Sequence, residues 1–216
     1  MVTARHIKPR DGDILVLLGT SKGAFALRSD SARKKWELGG PYFPGHQIYA
    51  LAFDNRAGRR RLWAGAQSGH FGAVLSSSDD FGRTWTKPEK PNVRFPEGSG
   101  GALKQIWQIL PGPATEPDLL YCGVEPSALF VSRDAGASWE LNQGLWDHPH
   151  RAKWEPGGGG LCLHTIVPDG ANRLHIACST GGHYRSDDGG KSWNARNKNI
   201  KTPFLPGDGP PPEFGQ

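Results

Sequence analysis

The stretch SDDGGKSW, residues 186–193, recurs in related form upstream: SSDDFGRTW ends at Trp85 and SRDAGASW at Trp139, so Trp85, Trp139 and Trp193 follow one another at intervals of 54 residues. An acidic, glycine-containing turn repeated at fixed spacing is either a chemical site used three times or a structural fastener used three times. In S-x-D-x-G-x-[ST]-W the aspartate (Asp80, Asp134, Asp188) can capture backbone N–H groups of its own turn. The glycine (Gly82, Gly136, Gly190) supplies the positive φ that the reversal needs. The tryptophan then drives a large apolar surface between neighbouring sheets, with an indole N–H able to reach a carbonyl. A catalytic carboxylate is needed once per site and a fastener once per repeat, so the repetition assigns these residues to folding.

Aligned on the tryptophans, the chain reads as a four-strand cycle. The second cycle is IYALAFD, RLWAGA, GAVLSSS and TWTKP; the third is KQIWQILP, LLYCGV, ALFVSRD and SWELN; the fourth is CLHTIVP, RLHIACST, GHYRSDD and SWNARN. A degenerate first copy, ILVLLGTS, GAFALRSD and KWELGG, lacks its opening strand. A four-stranded antiparallel unit of this length cannot bury both of its faces alone, so units must stack on one another. Radial stacking is the β-propeller, while the linear solenoid usually uses shorter repeats. The expectation is an all-β propeller of about four blades over residues 14–200, with an N-terminal extension (1–13) and a Pro/Gly-rich tail (201–216).

Composition agrees with this reading. In 216 residues there are 30 Gly, 18 Pro and 8 Trp but one Met, which suits short strands and tight turns better than long helices. The formal charge of +5 permits an anionic partner. However, Arg59, Arg60 and Arg61 precede an apolar strand, Arg33, Lys34 and Lys35 fill a turn, and neither run interleaves aromatics as a nucleic-acid groove does. Cys122, Cys162 and Cys178 lie in apolar strand-like runs without CxxC spacing, and read as small buried thiols. No run has signal-peptide or membrane-spanning character, which implies a reducing, cytoplasmic setting with neither membrane nor nucleic acid as partner.

The S-x-D-x-G-x-[ST]-W copies resemble the Asp-box (BNR) repeat of sialidase-like and glycosyl-hydrolase-like propellers, over nearly the whole chain. The segments GLWDHPH and WEPGGGGLCLHTI also resemble a group of bacterial propellers labelled glycosyl hydrolases. The resemblance implies a propeller and a hydrolase-like activity. It brings over no sialidase catalytic residue, since VRFPEG (93–98) has the letters of the sialidase arginine motif in another order and place. Asp-box propellers usually have six or more blades. The three full copies and one partial copy here therefore imply a fragment, a ring completed by a second copy through open blade edges, or a compact four-bladed ring.

Strand direction alternates within a blade, so the loops before the first strand and between the second and third lie opposite the Asp boxes. GGPYFPGHQ, KPEKPNVRFPEGSGGAL and NQGLWDHPHRAKWEPGGGG are long for a compact repeat, and loops of that kind often carry function. They and the adjacent turns hold His46, His70, Glu125, Trp146, His148, His150, Arg151, Trp154, Glu155 and His183, with His164 on an inner strand and His175 apart from the group. A glycan or other polar ring can stack on Trp146 or Trp154 beside His46, His70 and Arg151. Glu125, Glu155 and His164 are the catalytic candidates for hydrolysis of a glycan or a small ester or lactone. His148 and His150 can instead hold a divalent metal that activates water, or simply brace their loop. Gly157–Gly160 reads as a close-packed turn, because no phosphate-loop pattern accompanies it. The competing expectation is a noncatalytic propeller that binds a ligand or protein partner.

Overall fold

The computed structural model describes residues 5–68, 72–86, 88, 90–198 and 200. They form two compact units, Met1–Val93 and Arg94–Gln216, and all four sheets are antiparallel meanders.

The first unit holds two three-stranded sheets, β1 (Ile14–Thr20), β2 (Gly23–Ser29) and β3 (Glu37–Tyr42), then β4 (Gln47–Asp54), β5 (Arg61–Ser68) and β6 (Gly72–Ser78). Strand β4 alternates with period two, burying Ile48, Ala50, Ala52 and Asp54 while Tyr49 faces out. Ile7, Ala24, Ala26, Tyr42, Ile48 and Ala66 form the core of this unit, with Trp85 and Phe43 packed against it. Arg5 bridges to Gly40, so the chain just before β1 also covers the outer edge of β3. Residues 201–216, the expected tail, lie outside the described residues.

The second unit holds two four-stranded sheets, β7 (Gln105–Pro111), β8 (Leu120–Glu125), β9 (Ala128–Ser132) and β10 (Glu140–Leu141), then β11 (Leu163–Asp169), β12 (Arg173–Cys178), β13 (Gly182–Ser186) and β14 (Asn194–Ala195). The continuous apolar run LYCGV of β8 is buried along its length. Its core gathers Leu129, Leu163, Ile166, Ile176, Tyr184 and Trp193, among others. The three cysteines are free and buried, and burial raises each thiol pKa, Cys178 to about 12.

Neighbouring sheets meet where glycine replaces a side chain. A Cβ on Gly19 of β1 would stand 2.4 Å from the Ile48 carbonyl oxygen of β4, and one on Gly123 of β8 would stand 2.4 Å from the Leu163 carbonyl oxygen of β11. The matched contacts give β1 the place of a second strand, as expected for a first copy without its opening strand.

The fourth strands differ from expectation. They begin one residue after the tryptophan and span two residues in β10 and β14. Among the described residues no fourth strand follows Trp85 beside β6: the Thr86 N–H donates to the Ser77 carbonyl at 2.8 Å, and the Thr86 hydroxyl accepts from the Ser77 N–H at 2.8 Å. A threonine side chain has taken over one rung of the ladder. The Arg59–Arg61 run is paired with carboxylates: Arg59, Arg60 and Arg61 contact Asp54, Asp11 and Asp79 respectively.

Candidate functional site

The three Asp boxes are superimposable in chemistry. In the first, the Ser78 hydroxyl donates to Asp80 Oδ1 at 2.8 Å and accepts the Gly82 N–H at 2.8 Å, while Thr84 donates its N–H to Oδ1 at 2.8 Å and its hydroxyl to Oδ2 at 2.7 Å. Ser132, Asp134, Gly136 and Ser138 repeat this, as do Ser186, Asp188, Gly190 and Ser192. For Asp80, burial pushes the carboxyl pKa up but the hydrogen bonds from Thr84 and Ser78 win; for Asp134 and Asp188 the bonds from Ser138 and Ser192 lead, and all three fall to about 2. Gly82, Gly136 and Gly190 have φ of 88°, 88° and 91°. The residue before each also has positive φ, which in Phe81 and Ala135 is borne by a side-chain residue, a feature of the turn beyond the sequence reading. These carboxylates are consumed within their own turns.

The tryptophans behave as wedges, with one correction. Trp85 packs on Tyr42 and Phe43 at the end of β3, with ring centroids 5.9 and 4.7 Å apart. The Trp193 indole donates to Asn142 Oδ1 at 3.0 Å, whose amide nitrogen donates to the Gly190 carbonyl at 2.9 Å. The indole N–H groups of Trp85 and Trp139, expected to reach a carbonyl, find no acceptor among the described residues. Aromatic rings stand beside Trp85 where an amide stands beside Trp193.

In the second unit the segment from Asn142 to Cys162, expected to lie wholly opposite the Asp boxes, starts instead against the last of them, at Gly190 and Trp193, and is more ordered than a plain loop. Asn142 caps a single helical turn, α1 (Gln143–Trp146), by accepting the Leu145 N–H, and His148 caps a 3-10 segment, Pro149–Lys153, by accepting the His150 N–H on Nδ1 at 3.1 Å. The buried Tyr184 hydroxyl accepts from the Trp154 indole at 3.2 Å and sits 3.0 Å from His150 Nδ1. Burial lifts the Tyr184 phenol to about 12. His148 lies edge-on to both His150 and Tyr184, and burial first, then the nearby His150 charge, lower its pKa. Trp154 is thus a core residue rather than an open stacking platform. One face of Trp146 carries the Arg151 guanidinium 3.3 Å from the ring centroid, and Phe95 packs 4.8 Å away, while Arg151 Nε donates to the Ser127 carbonyl at 3.3 Å.

Glu125 ends β8 within this surface, its side chain 18% exposed. The Trp107 indole donates to its Oε2 at 3.4 Å, and Lys104 Nζ lies 4.0 Å from Oε1. Gly160, at φ 89°, backs the carboxylate so closely that a Cβ would stand 2.7 Å from Oε1. The Glu155 side chain is exposed, and its carbonyl accepts from the Thr180 hydroxyl.

Each inner strand carries a bulge at the same repeat position, between Ile48 and Ala50 in β4, Ile106 and Gln108 in β7, and Leu163 and Thr165 in β11. The bulged residues are Tyr49, Trp107 and His164, ring side chains that step out of the ladder. Strands β7 and β11 lie side by side, and the Gln108 side chain accepts the Ile166 N–H at 2.6 Å. His164 is exposed, with Nδ1 2.8 Å from the Thr165 hydroxyl. Sequence reading had singled out His164 and missed Trp107. The available sign was a ring residue second in IYALAFD, IWQILP and LHTIVP.

The other candidates are dispersed. His46 stacks on Phe43 in the first unit, and His70 lies outside the described residues. His175, expected to stand apart from His183, contacts it, with Nδ1 2.9 Å from His183 Nε2. The rings of His148 and His150 lie with centroids 4.6 Å apart, and no group of three or more His, Cys, Asp or Glu side chains among the described residues is arranged to hold a metal ion. No described helix is long and apolar enough to cross a membrane.

A model of the BNR/Asp-box repeat matches residues 184–195, and no curated protein matches the chain. Among solved structures, the GH74 xyloglucanase from Xanthomonas campestris is similar over 92% of this chain and 30% of its own, at 23% identity and a TM-score of 0.56. An ancestral GH74 enzyme is similar over 88% of this chain and 22% of its own, at 17% identity and a TM-score of 0.52. The chain thus spans less than a third of either neighbour. These likenesses, at such low identity, concern the fold alone: a β-propeller whose last sheet carries a BNR/Asp-box repeat over residues 184–195.

Proposed function

We propose that the chain is a carbohydrate-acting, hydrolase-like propeller module whose ligand site surrounds Glu125 and Trp107 at the strand ends opposite the Asp boxes. The observation that carries this reading is the Glu125 carboxylate, sunk beside the Trp107 indole and Lys104 and given room by Gly160. A carboxylate accepts sugar hydroxyls while an aromatic face covers the apolar face of the ring. Glu125 is the carboxylate assigned to the reaction, with His164 on the adjoining inner strand or Glu155 as its proton-transfer partner. The xyloglucanase neighbour suggests β-glucan oligosaccharides as the first ligands to test.

A noncatalytic binding module is the second reading, favoured by one observation: His148, His150 and Trp154 are spent on bracing around Tyr184. Turnover and binding of a xyloglucan oligosaccharide panel separate the two. The hydrolase reading expects turnover that falls at least about a hundredfold in Glu125→Gln with unchanged near-UV circular dichroism. Binding weakened by Trp107→Ala, with no turnover by the wild type, supports the second reading and ends the first. Neither binding nor turnover ends both.

A further inference from the structure

A cavity of about 450 Å³ opens in the first unit at the Asp-box end of its sheets, lined among others by Arg10, Asp11, Phe53, Arg59, Arg60 and Phe81. It belongs to neither the Glu125 surface nor any internal bond of the Asp boxes. Its charge balance is uneven. Asp13, also in the lining, is held by the Arg28 guanidinium through bonds of 2.7 and 3.0 Å from outside the cavity. Asp54, 2% exposed, is held in the same two-pronged way by Arg56 at 2.8 and 2.9 Å. Arg59 also reaches Asp54, at 3.8 Å, so that this buried carboxylate is shared by two guanidinium groups, and Arg10, Arg59 and Arg60 line the space with Asp11 and Asp13. Arg60 pairs with Asp11, whose side chain is 92% exposed, and an exposed pair of this kind holds weakly against a competing anion. The rings of Phe53 and Phe81 lie 5.8 Å apart and form the apolar part of the wall.

We infer that this cavity binds a small phosphate monoester with a planar apolar body. The phosphate is held by Arg59 and Arg60 and displaces Asp11 from Arg60, while the ring lies against Phe53 and Phe81. Guanidinium groups suit a phosphate because their planar fork matches two of its oxygens. The inference is independent of the Glu125 reading, and the Arg59–Arg60 run, which the strand pattern left as plain surface charge, acquires a role.

Phenyl phosphate, inorganic phosphate and phenol are the probes, titrated calorimetrically into the full chain. Phenyl phosphate is expected to bind, with inorganic phosphate and phenol each at least about tenfold weaker. Arg60→Ala is expected to weaken phenyl phosphate about tenfold or more. Asp11→Asn, which removes the competing anion, is expected to tighten it severalfold, an effect that damage to the fold does not produce. Absence of phenyl phosphate binding to the wild type, equal affinity for inorganic phosphate, or weaker binding in Asp11→Asn each overturns the proposal.

Discussion

Each Asp-box aspartate accepts three short-range hydrogen bonds, and the charge on the acceptor is what makes them strong. Asp188→Ala removes all three at once and leaves the Ser192 N–H and hydroxyl to water or to nothing. The expected loss at pH 7 is read as a lower urea midpoint than that of the wild type. The pH dependence has a definite sign. The folded pKa of about 2 lies below the ordinary carboxyl value of 3.8, so the stabilisation is complete above about pH 5 and is lost as the pH falls through 4 towards 2. The difference between wild type and Asp188→Ala should therefore shrink across that window; a gap unchanged at pH 2.5 would contradict the ionic account. Asn142 plays an equally local part, holding Leu145, Gly190 and Trp193 with one amide.

Among the elements, the segment between β10 and β11 departs furthest from a simple loop. His148 serves as a cap through a neutral ring nitrogen, and its pKa is lowered by burial and by its neighbour His150. Its unfolded-state counterpart takes up a proton first as the pH falls below about 6.5, so folding loses stability in that direction. His148→Asn keeps a cap acceptor and abolishes the titration. Urea midpoints measured from pH 7.5 to pH 5 should fall less steeply in this variant than in wild type, with a residual slope because His183 is shifted the same way, first by burial. Bulges act at the same scale: one extra residue in β7 and in β11 turns Trp107 and His164 out of the ladder, and the aromatic or imidazole ring reaches the surface without leaving the strand.

At the scale of the whole molecule, sheets approach one another through missing side chains. The Gly123 site admits no Cβ, because the obstacle is the Leu163 backbone oxygen at 2.4 Å and not the end of a flexible chain. Gly123→Ala is expected to cost about 3 kcal/mol, since strand β8 or β11 must shift to relieve the overlap. Gly158→Ala is the control, with nothing within 4 Å of its added carbon, and its midpoint should move by less than about 0.5 kcal/mol. Equal effects in the two variants would refute the close-packing argument. The charge distribution also belongs to this scale. A formal +5 resolves into many paired surface arginines and one cavity in which arginine outnumbers carboxylate.

The repeat interval, the strand cycles, the fastening role of Asp80, Asp134 and Asp188 and the missing opening strand of the first copy were legible in the sequence. All rest on contacts a few residues apart, and such contacts are dictated by residue type and spacing. The short fourth strands, the capped turns after Asn142, the burial of Trp154 and the pairing of Trp107 with Glu125 were settled only in three dimensions. Glu125 and Trp107 are 18 residues apart, and Tyr184 meets Trp154 across 30. Whether a ring becomes a core brace or an open surface depends on which strand end it faces once the sheets have packed, and no local spacing encodes that.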